Sequence, residues 1–350
     1  MTDRPPASSL AGTPDRRTLL GALAAGCAVA AFRPGAGRAQ RAGLDTVRRR
    51  ARGFDQMRAL VVARDGEILL AEAFRGPPVD RPVNVKSVSK TIVASLVGAA
   101  IDRGVLDGVD STFAAVAPSL VPPDADPRVR RITIADLLTM QAGLERTSGP
   151  NYGRWVQSSN WVAHALSRPF VAEPGDGMLY STGSYHLLGA ALARATGRSL
   201  LDLARDWLGG PLGIGIAPWT RDPQGFYMGG NNMALSPLAM VRFGETWRAG
   251  GVWNGARVLS RDWIEASWTP RTTSVFSGDD YGYGWFLTRA GGHDVAYARG
   301  YGGQMIYVVP GAGLTVAVTS DSTQSARSEG YAGDLKAMLA EDIIPALAAA

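Results

Sequence analysis

The apolar positions follow a strand-like spacing at both ends of the chain and a helical spacing between them. Ala59-Leu60-Val61-Val62-Ala63-Arg64 and Ile68-Leu69-Leu70-Ala71-Glu72-Ala73-Phe74 are apolar runs of strand length, and Asp65-Gly66 between them suits a tight hairpin turn. Gly76-Pro77-Pro78 closes the pair. From Ser87 the period changes. Ile92, Val93, Leu96, Val97, Ala100 and Ile101 fall on one helical face, and Gly104 offers a C-terminal stop. Further helices are expected after Thr133, with Asp136 three residues on and a stop at Gly143, and over 184–196, ended by Gly197. Two more are expected over 260–267 and from Ser236-Pro237, an N-cap with proline at the first helical position, to about Trp247. Strand character returns over 293–299, 304–309 and 314–320, the last two joined through Pro310-Gly311-Ala312-Gly313. Basic residues mark a short amphipathic helix over 44–57, and a closing helix is expected over 329–350.

A strand pair, a helical middle, three strands and a helix predict an α+β fold. Its antiparallel sheet is flanked by N- and C-terminal helices, and a mainly helical subdomain is inserted into it. The sheet part spans about 40–85 and 280–350, the helical part about 86–279. Sites commonly form at such a seam. The length of 350 residues allows a large core, and 46% hydrophobic with 19% charged residues is an ordinary globular balance.

Residues 1–39 read as an export signal. Arg16-Arg17-Thr18-Leu19-Leu20 opens an apolar run to Phe32, followed by the small residues Pro34-Gly35-Ala36-Gly37 and, after Arg38, Ala39. The paired arginines and modest hydrophobicity resemble a twin-arginine leader, with cleavage expected after Ala39. The run is too short and too rich in Ala and Gly to span a membrane. The expected location is therefore periplasmic or secreted. Ala24-Ala25-Gly26-Cys27 leaves a lipid anchor at Cys27 as the alternative. The leader holds five arginines and two aspartates, so a formal net charge of +5 falls to +2 without it. Arg48-Arg49-Arg50 is too short a basic run to indicate a nucleic-acid partner. Cys27 is the one cysteine, and the three histidines (His164, His186, His293) are scattered, so neither thiol chemistry nor a metal centre is expected. No cofactor is expected, and His186 reads as structural.

Charge composition then picks out one residue. Only three of the 36 basic residues are lysines, and one is Lys90 in Ser87-Val88-Ser89-Lys90. Lysine loses its proton when desolvated, whereas arginine does not. At i and i+3 on a helix the two side chains share a face, so a serine nucleophile and a lysine base are in reach of each other. Tyr180, in Tyr180-Ser181-Thr182 at the start of the next long helix, could shuttle a proton to this pair. Ala298-Arg299-Gly300-Tyr301-Gly302-Gly303-Gln304 is a glycine-rich strand start whose exposed amides could stabilise an oxyanion. Weaker candidates for substrate contact are Tyr152, Trp155 and Trp161 in an aromatic loop stretch, Asn232 beside Asn231, and Trp285.

Taken in order and with their wide spacing, these elements resemble the serine beta-lactamase and penicillin-binding-protein-like superfamily, and within it the class C-like esterase and 6-aminohexanoate-dimer hydrolase branch. The stretches that carry the likeness include SVSKTIVASLVGAAIDRG from Ser87, ITIADLLTMQAGL from Ile132, PGDGMLYSTGSYHLLGAALARATG from Pro174, MALSPLAMVRFG from Met233 and ARGYGGQMIYVVP from Ala298. They lie within about Leu60 to Ser320. The resemblance implies a beta-lactamase/transpeptidase-like fold and an ester- or amide-cleaving serine hydrolase. Ser87 would be the acylated nucleophile, Lys90 its base and Tyr180 the proton shuttle. The backbone N–H groups of Ser87 and Tyr301 would form the oxyanion hole, with Gly300, Gly302 and Thr182 contributing to substrate binding. Two departures weigh against a beta-lactam-directed site. Thr182 replaces the asparagine of the family's Y-x-N motif, and Ala298 replaces the lysine of its K-T-G motif. Strand alternation is expected to aim Arg299 away from the site. A beta-lactamase or D-alanyl carboxypeptidase is the nearest alternative, and a non-catalytic binder of acyl or peptide ligands is an alternative of another class.

Overall fold

The computed structural model describes residues 34–327 and 330–348. The arginine pair, the apolar run and Cys27 of the expected leader lie outside the described residues. The core element is an antiparallel sheet of eight strands, in the spatial order Glu67–Ala73, Met57–Arg64, Leu314–Ser320, Gln304–Val309, His293–Gly300, Phe286–Ala290, Asp280–Tyr281, Thr272–Thr273. The first long strand pairs with the last, Leu60 opposite Val318 and Val62 opposite Val316, so both ends of the chain build one sheet as expected. Asp65 and Gly66 both have positive φ (49° and 86°), the conformation that a two-residue hairpin turn requires.

Helices cover both faces of the sheet. The Pro237–Arg248 helix is capped by Ser236, whose hydroxyl accepts from the Ala239 N–H. It lies so close to the sheet that a Cβ on Gly244 would meet Thr315 at 2.5 Å. The opposite face, reached through the hydrogen bond between the Ser320 and Tyr331 hydroxyls, carries the C-terminal helix. That helix begins at Tyr331, loosens into a π-helical turn over Leu339–Ile343 and continues over Ile344–Ala348. The N-terminal helix packs beside it, with Gly43 against Ala346.

Four expectations need correction. The N-terminal helix runs Pro34–Gly53, so it starts within the stretch assigned to the leader and ends before Met57. Phe286–Ala290, Asp280–Tyr281 and Thr272–Thr273 extend the sheet by three strands. They escape notice because two of them are only two residues long and the third, Phe-Leu-Thr-Arg-Ala, alternates poorly. The 182–196 helix starts two residues early, at Thr182. Finally, the Val88–Asp102 helix is not amphipathic. Every residue from Val88 to Ala100 is buried, because it runs between the sheet and the helical part. Trp263 seals one side of it, with its ring lying where a Cβ on Gly98 would sit, 2.3 Å away.

Gly98 therefore tests how tightly this central helix is held. Alanine is the better helix former by about 1 kcal/mol. The added methyl must displace a packed indole, and overpacking costs about 1–3 kcal/mol. Gly98→Ala is expected to lower the unfolding free energy by up to about 2 kcal/mol in denaturant titration. A stabilised variant would mean that Trp263 yields freely.

Candidate active site

The turn before the Val88–Asp102 helix is pinned from several sides. Val83–Asn84 pairs with Ala234–Leu235, and the Val85 N–H donates to Met233 O at 2.9 Å. The chain then turns at Lys86, whose φ of 51° lies in the left-handed region. That conformation costs a residue with a Cβ about 1–2 kcal/mol. The Lys86 N–H donates to Asn84 Oδ1 (2.8 Å) and the Ser89 hydroxyl to Lys86 O (2.6 Å). Ser89 Oγ also accepts from the Met233 N–H at 3.1 Å. Ser87 is left at the N-cap position with a hydroxyl that does not cap its own helix.

That hydroxyl accepts from Lys90 Nζ at 3.0 Å. The ammonium group also donates to Gly230 O at 2.7 Å and to Thr182 Oγ1 at 3.3 Å. Lys90 is 2% exposed, and burial pushes its pKa down to about 7. No carboxylate offsets that burial among the groups that it bonds, so the amine exchanges its proton near neutral pH. Tyr180 faces the same point, and Lys90 Nζ lies 4.9 Å from its ring centroid. Burial raises the Tyr180 pKa, while its contact with the Ser87 hydroxyl pulls it the other way. Ser87, Lys90 and Tyr180, distant in sequence, thus converge.

Thr182 belongs to a hydroxyl network that the sequence did not disclose. Its Oγ1 lies 2.9 Å from Ser148 Oγ, which also accepts from the Thr182 N–H at 2.8 Å. Thr147 Oγ1 accepts from the Gly183 N–H at 2.8 Å. The first turn of the Thr182–Thr196 helix is therefore capped by another segment, since its own Ser181 makes no side-chain cap. Ser181 instead bonds back to Thr147, accepting from its N–H at 3.1 Å. The Gly229-Gly230 pair allows the next loop to lie on this helix: a Cβ would come within 2.0 Å of Tyr185 O at Gly229 and 2.8 Å of Thr182 O at Gly230. Asn232, with φ of 67°, fixes that loop by accepting from Asn84 Nδ2 at 3.2 Å.

Gly300 closes the site from the sheet. A Cβ there would meet Val85 O at 2.3 Å and Lys86 Cβ at 3.2 Å, so the strand end lies directly against the turn before Ser87. Tyr301 follows it and lines the same cleft as Ser87. Gly302 has another use. Its φ is 82°, and a Cβ would meet Asp321 O at 2.4 Å, which marks it as a turn residue outside the cleft lining.

Above Ser87 opens a cleft of about 650 Å³. Tyr152, Tyr180 and Phe276 line it together with Arg299, Gly300 and Tyr301. Asn231 also lines it and donates from Nδ2 to the Tyr152 hydroxyl at 3.2 Å. Asn232 does not. Trp155, Trp161 and Trp285 are buried away from it, contrary to the expectation of substrate contact. Trp155 and Trp161 pack edge-on against His186, which bonds Asp222 at 3.0 Å, and Trp285 lies against Phe243 and Trp247. The expected direction of Arg299 is also corrected: Ala298 faces the core and Arg299 lines the cleft, donating to Ala326 O at 2.7 Å. Phe276 and Phe286, missed in the sequence, come from the loop and strand added to the sheet edge.

Known proteins share this fold. A protein from Bacillus anthracis assigned as a 6-aminohexanoate-dimer hydrolase superposes with a TM-score of 0.70 at 17% identity, over 83% of this chain and 79% of that one. EstCE1, a hydrolase with promiscuous acyltransferase activity, superposes at 0.67 and 19% identity over 90% and 98%. A penicillin-binding protein homologue from Caulobacter crescentus gives 0.67 and 18% over 88% and 98%. At these identities the likeness is one of fold. Among curated proteins, a protein from Dichelobacter nodosus described as a fimbrial assembly protein, FimD of serogroup H1, is 31% identical over 146 residues, 39% of this chain. The match spans 36% of that protein's length. The profile of the Beta-lactamase family matches residues 48–341, which takes in the whole sheet and every residue of the site. The chain belongs to the Beta-lactamase family.

Proposed function

We propose that the protein hydrolyses an ester or amide through an acyl-enzyme on Ser87. The observation that carries this reading is the buried Lys90 amine, 3.0 Å from Ser87 Oγ, with its pKa pushed down to about 7. Neutral Lys90, with Tyr180, takes the Ser87 proton as Oγ attacks the substrate carbonyl. The oxyanion that forms is met by the N–H groups of Ser87 and Tyr301. Collapse of the tetrahedral intermediate breaks the ester or amide bond, and the departing alkoxide or amine receives its proton from Tyr180. Water then attacks the acyl carbonyl and gives its proton to the same base, which returns it to Ser87 Oγ as the acyl–Oγ bond breaks, releasing the carboxylic acid and restoring free Ser87.

The hydroxyl partners of Lys90 support a general acyl hydrolase. Thr182 is engaged by Lys90 and Ser148 and has no amide to offer a substrate. Ala298 is fully buried and brings no charge to the cleft. Both features suit a general ester or amide hydrolase better than an efficient beta-lactamase.

Four measurements test the reading. Ser87→Ala is expected to lower kcat/KM for an activated aryl ester by at least about 10³-fold, and an active-site acylating probe should label Ser87 in the wild type by intact mass. Lys90→Arg should cost about 10²–10⁴-fold, because arginine keeps its proton at neutral pH. Retained activity in either variant would remove that residue from the chemistry. The pH profile supplies the sign. Protonated Lys90 cannot accept the Ser87 proton, so kcat/KM should rise as pH increases through about 7 and level off above it. A profile flat from pH 5 to 9 would exclude Lys90 as the base.

A further inference from the structure

The acceptors that meet Lys90 come from three segments. Ser87 Oγ is fixed by the turn into its own helix, and Thr182 Oγ1 by the first turn of the Thr182–Thr196 helix. Gly230 O gives the shortest contact, 2.7 Å, and lies on an irregular loop. The fastening of that loop therefore sets one side of the base. Beyond Gly230 it is held by the Val85 N–H, which donates to Met233 O, and by the contact of Asn232 with Asn84.

Before Gly230 the chain forms a small hairpin. The Met228 N–H donates to Thr220 O, and Arg221 pairs with Tyr227. Asp222 closes the turn: its N–H donates to Phe226 O and its Oδ1 accepts from the Phe226 N–H, both at 2.8 Å. Among the described residues, the one fully buried hydrogen bond from this hairpin to another element joins Asp222 Oδ2 to His186 Nε2 at 3.0 Å. Both side chains are wholly enclosed. A carboxylate can only accept, so Nε2 carries the proton and donates it. His186 Nδ1, also buried, has no partner among the described residues. The ring thus contributes a single directed bond, inside a cluster of Trp155, Trp161 and Met228.

His186 lies one helical turn beyond Thr182, on the same face. Gly229 rests on that turn, where a Cβ would come within 3.1 Å of His186 Cα. Two of the groups that meet Lys90 are therefore referenced to one stretch of helix, Thr182 Oγ1 by its own backbone and Gly230 O through Asp222. Apolar side chains could join hairpin to helix without desolvating a carboxylate. A hydrogen bond adds a fixed direction, which the acceptor that follows the hairpin requires.

We infer that the His186–Asp222 pair positions Gly230 O against Lys90 and keeps water from the amine. The inference rests on the acyl-enzyme reading above. It makes His186 and Asp222 positioning residues, and neither lines the cleft. Tyr180 is the titratable side chain against Lys90, with Lys86, Arg299 and Arg327 lining the cleft beyond it and no Asp or Glu among the lining residues. Asp222 is the titratable group that His186 meets. Burial is what lowers the Lys90 pKa, so a loosened loop that admits water lets the amine hold its proton to higher pH.

The test follows kcat/KM of the full-length enzyme for an activated aryl ester from about pH 5 to pH 9, per active site counted with an acylating probe. His186→Leu removes the donor. It should move the acid limb up by about one pH unit, lowering kcat/KM about fivefold at pH 7 and less than about twofold at pH 9. His186→Gln can present an N–H where Nε2 stands and should keep the wild-type profile. Asp222→Asn keeps the volume, yet it sets a donor against a donor or forces the ring into its other tautomer with a buried, unpaired Nδ1–H. It should move the limb the same way, and it carries the test if His186→Leu does not fold. A lesion that only reduces the amount of folded enzyme scales the whole profile and leaves its midpoint in place. An acid limb that stays in place in either folded variant overturns the inference, as does a limb moved as far by His186→Gln as by His186→Leu. A wild-type profile with no acid limb, or a wild type with no adduct on Ser87, would instead overturn the acyl-enzyme reading, and the inference with it.

Discussion

Burial of one amine governs the organisation of this molecule. Lys90 sits on a helix enclosed from Val88 to Ala100, and its Nζ reaches only neutral partners: a serine, a threonine and a carbonyl. A charged ammonium in that setting is costly, and hydrogen bonds to neutral oxygens only partly offset the cost. The fold keeps the lysine there and carries the resulting destabilisation of the protonated form. Glycines at 229 and 230 lay one segment on the Thr182–Thr196 helix, and Gly300 lays another against the turn before Ser87, closer than any side chain would allow. Together these contacts exclude water from the amine and hold its neighbours in place.

The hydroxyl network beside Lys90 has a second role. Thr147 and Ser148 satisfy the first N–H groups of the Thr182–Thr196 helix, and Ser148 also meets the Thr182 hydroxyl that touches Lys90. Helix capping and active-site ordering are thus done by the same atoms. A loop that would otherwise be free to vary is tied to the chemistry through two side-chain oxygens.

Much of this was legible in the sequence, for identifiable reasons. The Asp65-Gly66 hairpin, the Ser236-Pro237 helix start and the three C-terminal strands rest on local signals, and the structure holds them. The convergence of Ser87, Lys90 and Tyr180 was readable because each lies on a recognisable element and the family pattern joins them. What escaped was decided by tertiary contact. The aromatic residues Trp155, Trp161 and Trp285 looked like a pocket lining, yet they pack around His186 and Trp247, and sequence alone cannot tell a buried ring from a lining one. Arg299 was assigned to the wrong side because alternation fixes only relative direction, and Ala298 proved to be the inward residue. Short edge strands and the capping roles of Thr147 and Ser148 depend on partners far along the chain.

The pairing of the first long strand with the last has a consequence for synthesis. Leu60 finds its partner at Val318, so most of the polypeptide must be made before the middle of the sheet can close. Loop closure over such a distance is slow, and sheets built this way have high contact order. The Val88–Asp102 helix can form early, but Gly300 and Tyr301 arrive beside the turn before it only when the final strands are in place. During translation Ser87 therefore emerges long before Tyr301, and the cleft has only one of its walls until the sheet closes.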